Sequence, residues 1–339
     1  MRWEIRQRCI RCRVEADNMS DDIMVSICCA TYNHERYLRK ALNGVLAQKV
    51  DFRYQIIICE DCSTDGSKQI VKEYEERYPE KIVAIYQKQN KGPVQNFADL
   101  YSYANGKYVI TLETDDYWVD DKKLAKQVEF LENHPDYVAV SHRTFIVDEN
   151  GRCLKNVIYP ECKRQKFDVK EMMLWRTAGQ VTTMLYRNFH QDKETNDALI
   201  RISALGPGDK AKELLLSNRG KIFRMNERMS CYRYVTKGGS GFSANNKLKY
   251  YDYYRMFDQL YSFMLERRYK PECVETTEYL RLEALAACTL LEHSVPISCF
   301  AKECFKCTHK AHFIVKLGVH SVLKLFSFFS KRIVGITYI

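Results

Sequence analysis

Short apolar runs alternate with amphipathic segments through residues 25–120. The runs are rich in β-branched residues and almost free of charge, which is typical of buried strands in a parallel sheet. They cover residues 25–30, 55–59, 82–86 and 107–112. Between them apolar residues recur at helical spacing, as in the series Leu38, Leu42 and Val45. The alternation predicts an α/β fold in which βαβ crossovers build a doubly wound, mostly parallel sheet.

Polar residues follow three of these runs at the point where each predicted strand ends. Thr31–Asn33 follow the first run, Glu60 and Asp61 end the second, and Glu113–Asp116 end the fourth. In doubly wound sheets the carboxyl ends of the strands lie at one edge, and ligands bind beyond that edge. We therefore expect the three polar clusters to form one site.

Glu113, Asp115 and Asp116 place three carboxylates within four residues. Such charges repel one another unless a cation or hydrogen-bond donors compensate them. Oxygen ligands of this kind suit Mg²⁺ or Mn²⁺. Taken alone, the stretch is equally consistent with a charged, solvated turn, but the convergence of three strand ends favours a ligand site.

Residues 121–240 show a mixed pattern instead of a regular alternation. The predicted elements are a hairpin turning at 148–151, a helix capped by Asp168, a strand over 181–186, a helix led by 206–209 and closed by Gly220, and strands over 221–225 and 229–234. Asp209 stands at the start of one of these helices, where a carboxylate can also serve as a cap.

Residues 241–339 are predicted to form a helical C-terminal appendage. Two helices rich in Tyr and Leu cover 247–292, with Pro271 between them. From Cys304 onward the chain has no acidic residue, and polar positions within 310–339 recur at helical spacing. A basic amphipathic helix of this kind can lie on an anionic membrane, whereas its lysines disfavour a spanning helix. Packing of this helix on the catalytic domain is the alternative.

The composition is that of a globular protein, because 46% of the residues are hydrophobic and 28% are charged. The net charge of +10 favours an anionic partner, such as a nucleotide, a phospholipid surface or a nucleic acid. The basic residues are spread along the chain instead of forming one aromatic-bearing surface, so we expect no nucleic-acid partner.

The first 22 residues follow no period and are predicted to form a poorly ordered extension. Arginines interrupt Met1–Val14, so we expect no export signal, and Met19 or Met24 are alternative starts. The 14 cysteines are scattered and often embedded in predicted strands, which favours buried thiols in a reducing cytoplasm.

Two local cysteine pairs have the spacing of zinc ligands, Cys9 with Cys12 and Cys304 with Cys307. Nothing in the sequence places the two pairs near each other. Incidental thiols are the favoured interpretation.

With these features the chain resembles the family 2 glycosyltransferases, which have the A-type nucleotide-sugar-binding fold. The matching stretches are 25–33, 60–66, 90–92 with Asn96, and 112–118, with looser matches at 208–209, 220–222 and 232–233. The resemblance implies a catalytic domain over about 23–240, with a nucleotide-sugar half over about 23–120 and an acceptor half over about 121–240.

The resemblance also implies roles for individual residues. The donor-binding residues are Thr31, Tyr32, Asn33, Glu60, Asp61, Asn96, Glu113 and Asp115. Asp115 and Asp116 are the predicted ligands of Mg or Mn, while Glu113 stands where many relatives have aspartate. Asp209 falls where inverting members place their general base.

Two of these assignments have structural alternatives, and two further groups of residues are also open to two interpretations. Asp61 could be a helix N-cap, and Asp209 could cap the helix that follows it. Arg233 and Lys237 could close over a diphosphate as a lid or belong to an ordinary basic loop. His142 and Arg143 could contact the diphosphate or simply form a solvated strand end.

The activity that the resemblance implies is inverting transfer of one sugar from a nucleotide-diphosphate sugar to a glycan or lipid-linked glycan in bacterial cell-surface polysaccharide synthesis (lipopolysaccharide, capsule or exopolysaccharide). No Gln-x-x-Arg-Trp motif is present, which argues against a processive synthase. The alternatives are a nucleotidyltransferase on a similar sheet and a non-catalytic basic module that binds a membrane or nucleic acid.

Overall fold

The computed structural model describes residues 23–235, 249–292, 294–306 and 337–338. Several predictions concern other residues and stay predictions. They are the N-terminal extension, the Cys9/Cys12 pair, Cys307, Lys237 and most of the terminal basic segment.

The elements alternate through the first 120 residues as the sequence pattern predicts. The strands are β1 (Val25–Thr31), β2 (Tyr54–Glu60), β3 (Ile82–Tyr86), β4 (Tyr108–Glu113), β5 (Tyr117–Trp118), β6 (Tyr137–Val147), β7 (Val157–Ile158), β8 (Lys166–Phe167), β9 (Leu185–Arg187), β10 (Lys221–Arg233) and β11 (Thr337–Tyr338). The helices are α1 (Glu35–Leu46), α2 (Ser67–Arg77), α3 (Gly92–Ser102), α4 (Lys123–Asn133), α5 (Lys193–Ser203), α6 (Gly208–Arg219), α7 (Tyr250–Glu266), α8 (Pro271–Leu290) and α9 (Ile297–Lys306). Two 3₁₀ turns cover Val169–Leu174 and Val181–Thr183.

The main sheet has the strand order β3-β2-β1-β4-β9-β6-β10-β5. Strands β1 to β4 are parallel to one another, whereas β9 is antiparallel to both of its neighbours, β4 and β6. The register pairs Thr31 with Glu60 and Ala30 with Glu113. The predicted mostly parallel α/β sheet is therefore confirmed, and three of its polar strand ends lie at one edge.

The two faces of the sheet are covered by different hydrophobic clusters, because alternate strand residues point to opposite faces. Ile56 and Ile58 of β2 belong to the cluster under α1, α2 and α4. Ile57 and Cys59 belong to the other cluster, which includes residues of α3 and α5 to α8. Burial on both faces explains why these strands are continuous apolar runs in the sequence.

Helices α7 and α8 confirm the two helices predicted over 247–292, and Pro271 opens α8 as a first-turn proline. Met256, Phe257 and Leu280 share one buried cluster with Cys28 of the central strand β1. These helices therefore complete the core on one face of the sheet.

Two local predictions are wrong in detail. β10 is one long strand instead of two, because it pairs with the long strand β6 along its whole length. The polar residues between the two predicted strands lie in a β-bulge region, where the register shifts between Met225 and Ser230. Residues 181–186 are not one strand, because the Gln180 side chain accepts a hydrogen bond from the Thr182 amide and fixes a 3₁₀ turn before β9. Among the described helices, none is both long and apolar enough to cross a membrane.

Candidate active site

Thr114 ties the end of β1 to the middle of the carboxylate stretch. Its fully buried hydroxyl lies 3.0 Å from Thr31 Oγ1 and 2.8 Å from His34 Nδ1, and it donates to the carbonyl of Ala30 at 2.9 Å. These contacts fix the backbone from which the neighbouring carboxylates project. Thr114 was not singled out in the sequence, since a lone threonine at a strand end carries no distinctive signal.

The turns after β1 and β2 are joined by Asn33. It has a positive φ of 54°, its side-chain oxygen accepts a hydrogen bond from the Thr64 amide, and its own amide donates to Ser63 Oγ. The amide of Ser63 in turn donates to Glu60 Oε1 at 2.6 Å. The adjoining Tyr32 side chain is 36% exposed, which leaves its ring accessible to a ligand.

Two buried oxygens at this edge have no hydrogen-bond partner within the described part of the chain. They are Glu60 Oε2 and Asn96 Oδ1. Asn96 is held by its amide nitrogen, which donates to the carbonyl of Cys59 at 3.2 Å. Because unpaired buried acceptors are costly, these atoms are suited to accept hydrogen bonds from a ligand's hydroxyl or amide groups.

Asp61 is buried and holds the loop that begins α3. Its two carboxylate oxygens accept hydrogen bonds from the amides of Lys91 and Gly92, at 2.8 and 3.0 Å. Burial raises the pKa of Asp61, and these two hydrogen bonds oppose the rise. The predicted alternative role of Asp61 as an N-cap is wrong, because the N-cap residues of α2 and α3 are Gly66 and Lys91; Asp61 instead accepts hydrogen bonds from the first amides of α3 from a distant loop.

Oxygens of Glu113, Asp115 and Asp116 lie within 4.8 Å of one another. Asp116 is the buried member and is engaged by the protein itself. It accepts hydrogen bonds from Gln180 Nε2 at 3.0 Å, Thr182 Oγ1 at 3.1 Å and the Arg233 amide at 2.7 Å. Burial and the neighbouring carboxylates raise its pKa, whereas the donors of Arg233 and Thr182 lower it.

Glu113 and Asp115 are different, because their carboxylates have no hydrogen bond or ion pair to any residue that the structure describes. Burial, followed by the charges of Asp115 and Asp209, raises the pKa of Glu113 to about 8. The charge of Lys212 opposes this rise, but neither carboxylate has a hydrogen-bond donor within the described residues. Two such carboxylates at one edge fit a hard divalent cation. The geometry therefore favours Glu113 and Asp115 as the cation-facing pair and gives Asp116 an additional anchoring role.

Asp116→Asn is expected to destabilise the fold by about 1–3 kcal/mol, because the amide NH₂ would replace one carboxylate oxygen and face either the Arg233 amide or the donors of Gln180 and Thr182. Urea denaturation of the metal-free protein measures the change. Asp115→Asn is the matched control and should be neutral or slightly stabilising, since it removes repulsion without breaking a hydrogen bond. Equal losses of stability in the two variants would contradict the anchoring role.

Cation binding is expected to strengthen as the pH rises from about 6.5 to about 8.5. Because the pKa of Glu113 is raised to about 8, its carboxyl holds a proton at the lower pH and must release it to a cation. Calorimetry of Mg²⁺ in buffers with different ionisation enthalpies measures that proton. Glu113→Gln should abolish the proton release at low pH, and unchanged release in this variant would exclude Glu113 as its source.

Arg233 holds the carboxylate stretch against the rest of the sheet. Its backbone amide donates a hydrogen bond to Asp116. Its side-chain Nε donates to the carbonyl of Asp115 at 2.8 Å, and Nη1 donates to the carbonyls of residues 148–149. The guanidinium also lies 4.1 Å from the centre of the Tyr37 ring. The side chain is buried and committed to protein carbonyls, so the predicted lid role of Arg233 is wrong.

His142 likewise does not end a strand or face the carboxylates. It lies within β6, is fully buried, and its Nδ1 contacts the Arg143 carbonyl at 2.7 Å. Burial and the nearby Lys123 lower its pKa. Both predicted alternatives for His142 are therefore wrong.

Asp209 lies in the first turn of α6 and is exposed. The N-cap position belongs to Pro207, and Asp209 Oδ1 accepts only the adjacent Lys210 amide, at 2.9 Å. Its charge helps to raise the pKa of Glu113, which links the start of α6 electrostatically to the carboxylate stretch. Lys212, one turn along α6, is 5% exposed, and its pKa is lowered by burial and raised by Asp209 and Glu113.

Residues 26–192 match the family model described as glycosyl transferase family 2. The chain is 37% identical over 177 residues to the uncharacterized protein Rv1520 of Mycobacterium tuberculosis, a match that covers 52% of this chain and 46% of that protein. The chain thus spans about half the length of this relative. It is also 27% identical over 239 residues to TuaG of Bacillus subtilis, a match that covers 70% of this chain and 90% of TuaG. The name of TuaG describes it as a glycosyltransferase of teichuronic acid biosynthesis.

Among solved structures, the chain is similar to residues 1–349 of S. aureus TarS in complex with UDP-GlcNAc. The TM-score is 0.57 at 18% sequence identity, and the match covers 79% of this chain and 73% of the TarS chain. At this identity the likeness concerns the fold, including the central sheet and the helices around it.

Proposed function

Because residues 26–192 are a family 2 glycosyltransferase domain, we propose that the protein transfers a single sugar from a nucleotide-diphosphate sugar to a hydroxyl group of an acceptor, with inversion at the anomeric carbon. The observation that supports this most strongly is the pair of carboxylates at the sheet edge, Glu113 and Asp115, which accept no hydrogen bond from the described residues, together with the charge of Asp209 acting on Glu113. The first half of the chain binds the donor and residues 121–240 bind the acceptor.

Asp209 is the proposed general base. Its carboxylate takes the proton of the acceptor hydroxyl while that oxygen forms a bond to the anomeric carbon. The bond between the anomeric carbon and the diphosphate oxygen breaks, and the diphosphate leaves with the electron pair. One displacement with one base inverts the configuration. The exposed position of Asp209 at the start of α6 leaves its second oxygen, Oδ2, available for this proton.

The strand ends supply the proposed donor site. The turn residues Thr31–Asn33 and Asp61 lie where the base and ribose are expected, and the open acceptors of Glu60 and Asn96 provide further contacts. Glu113 and Asp115, with Asp116 behind them, would hold Mg or Mn. When bound, such a cation neutralises charge on the leaving diphosphate.

The proposed biological context is assembly of a bacterial surface polysaccharide on a glycan or lipid-linked glycan. It is supported by the match to TuaG, whose name refers to teichuronic acid biosynthesis. The donor sugar can be sought without knowing the acceptor, because donor binding and donor hydrolysis require only the nucleotide sugar and water.

The proposed activity is tested by incubating the full chain with Mn²⁺ and a panel of UDP-, GDP-, dTDP- and CDP-sugars. We expect one donor class to raise the unfolding temperature and to release its nucleoside diphosphate. Failure of every donor to do either would reject the glycosyltransferase proposal.

We further propose peripheral contact with an anionic membrane on its cytoplasmic side through residues 310–339, of which the structure describes only 337–338. Changing Lys316, Lys324 and Lys331 together to Gln is expected to weaken binding to phosphatidylglycerol vesicles by about 100-fold, since each lysine contributes about 1 kcal/mol near such a surface. Vesicle sedimentation measures binding, with phosphatidylcholine vesicles as the control lipid. Equal sedimentation of both proteins would rule out this contact.

A further inference from the structure

A pair of partly exposed aromatic side chains stands beside the start of α6, where Asp209 lies. The rings of Trp175 and Tyr253 meet edge to face, with centres 5.4 Å apart and an interplanar angle of 79°. Lys210 Nζ lies 5.4 Å from the centre of the Trp175 ring. Since Lys210 follows Asp209 directly, the aromatic pair adjoins the proposed base.

Tyr253 is contributed by α7, a helix outside the segment that matches the family. α7 packs closely on the chain leading into α6, because a Cβ added to Gly206 would lie only 2.9 Å from Met256 Sδ. Tyr253 lies one helical turn before Met256 and shares that face of α7. Burial, followed by the charge of Asp209, raises the pKa of Tyr253 to about 12, in keeping with this proximity.

A second aromatic pair lies near the same carboxylate. The rings of Tyr159 and Tyr232 have centres 5.7 Å apart at an angle of 68°, and both side chains are partly exposed. Burial raises the pKa of Tyr159 and the charge of Asp209 raises it further. Tyr232 immediately precedes Arg233, which holds the carboxylate stretch. One aromatic pair thus adjoins the start of α6, and the other adjoins the residue that holds the carboxylate stretch.

We propose that these aromatic side chains form a binding subsite for a sugar ring of the acceptor, with Tyr253 of α7 as a specificity-determining residue. The subsite rests on the proposed transferase activity. A pyranose has a face of C–H groups and an edge of hydroxyls. Aromatic faces carry partial negative charge that attracts the C–H groups, while tyrosine hydroxyls and Lys210 can hydrogen-bond the edge. A purely apolar partner would leave Asp209 and Lys210 desolvated and unpaired.

Saturation-transfer NMR on the full chain tests the subsite. The probes are the methyl glycosides of glucose, galactose, mannose, rhamnose and N-acetylglucosamine, together with octyl β-glucoside. We expect at least one methyl glycoside to receive saturation mainly on the protons of one ring face. Tyr253→Leu, which keeps an apolar side chain without an aromatic face, should weaken that binding about fivefold. Tyr251→Leu is the matched control, because Tyr251 is an exposed tyrosine of the same helix, and it should not weaken binding of the glycoside.

Three outcomes would overturn the subsite: no methyl glycoside binds, Tyr253→Leu binds as well as the unaltered chain, or only the alkyl protons of octyl β-glucoside are saturated. The last result would indicate an apolar partner instead of a sugar. Calorimetry of nucleoside diphosphates on the same samples separates this failure from failure of the proposed function. If a nucleoside diphosphate binds and no glycoside does, only the subsite is wrong.

Discussion

Asp209→Asn is expected to lower turnover of the nucleotide sugar by about 10²- to 10⁴-fold, the usual contribution of a general base. An amide keeps the size of the side chain and can still accept the Lys210 amide, but it cannot take a proton from the attacking hydroxyl. Donor affinity should not fall, because Asp209 belongs to α6 and not to the strand ends, and loss of its charge lowers the pKa of Glu113. Release of nucleoside diphosphate gives the rate, and calorimetry gives the affinity.

Asp197→Asn is a matched control for this variant, since Asp197 is an exposed carboxylate of the neighbouring helix α5. It should turn over the donor at the unaltered rate. Normal turnover in Asp209→Asn would remove Asp209 from the reaction and leave it as a charged residue in a helix first turn, where acidic side chains are favoured by the helix dipole.

Asp115→Ala is expected to abolish the metal-dependent part of nucleoside diphosphate binding, a loss of at least about 100-fold. The Asp115 carboxylate accepts no hydrogen bond from the described residues. Its removal therefore deletes a cation ligand without breaking a hydrogen bond within the protein. Calorimetry of the nucleoside diphosphate in Mn²⁺ and in EDTA isolates the metal-dependent part. The fold should be retained, because the backbone carbonyl of Asp115 still accepts from Arg233.

The control for Asp115→Ala is Asp121→Ala, a nearby carboxylate that pairs with Lys49 outside the cluster. Exposed pairs of this kind contribute little to stability, and binding should be unchanged. If Asp115→Ala binds the nucleoside diphosphate as tightly as Asp121→Ala, the cation is held elsewhere or is not required.

The parallel half of the sheet and its polar edge could be predicted from the sequence because both depend on local patterns. Buried strands such as β2 are continuous apolar runs, and the polar residue that ends each run marks the carboxyl edge. The pairing of Thr31 with Glu60, and of Ala30 with Glu113, then follows from the parallel connections.

The partners of each carboxylate could not be predicted, because they come from distant parts of the chain. Arg233 is 117 positions from Asp116, and Gln180 is 64 positions away. No short-range pattern distinguishes an aspartate that accepts three hydrogen bonds from one that accepts none. The sequence therefore indicates a carboxylate cluster. Only the tertiary contacts show that Asp116 is held by hydrogen bonds within the protein, whereas Asp115 is open to a cation.

The end of strand β10 connects the proposed acceptor subsite with the carboxylate stretch. Its residue Tyr232 belongs to the proposed acceptor subsite, and the next residue, Arg233, fixes both Asp115 and Asp116. Adjacent residues of one strand thus contact the proposed acceptor subsite and the carboxylate stretch, and we expect binding at the two sites to be coupled through them. Coupling of this kind is reciprocal, so an acceptor that tightens cation and donor binding must itself bind more tightly once they are present. The proposed transferase would then favour ordered assembly of the ternary complex over unproductive donor hydrolysis.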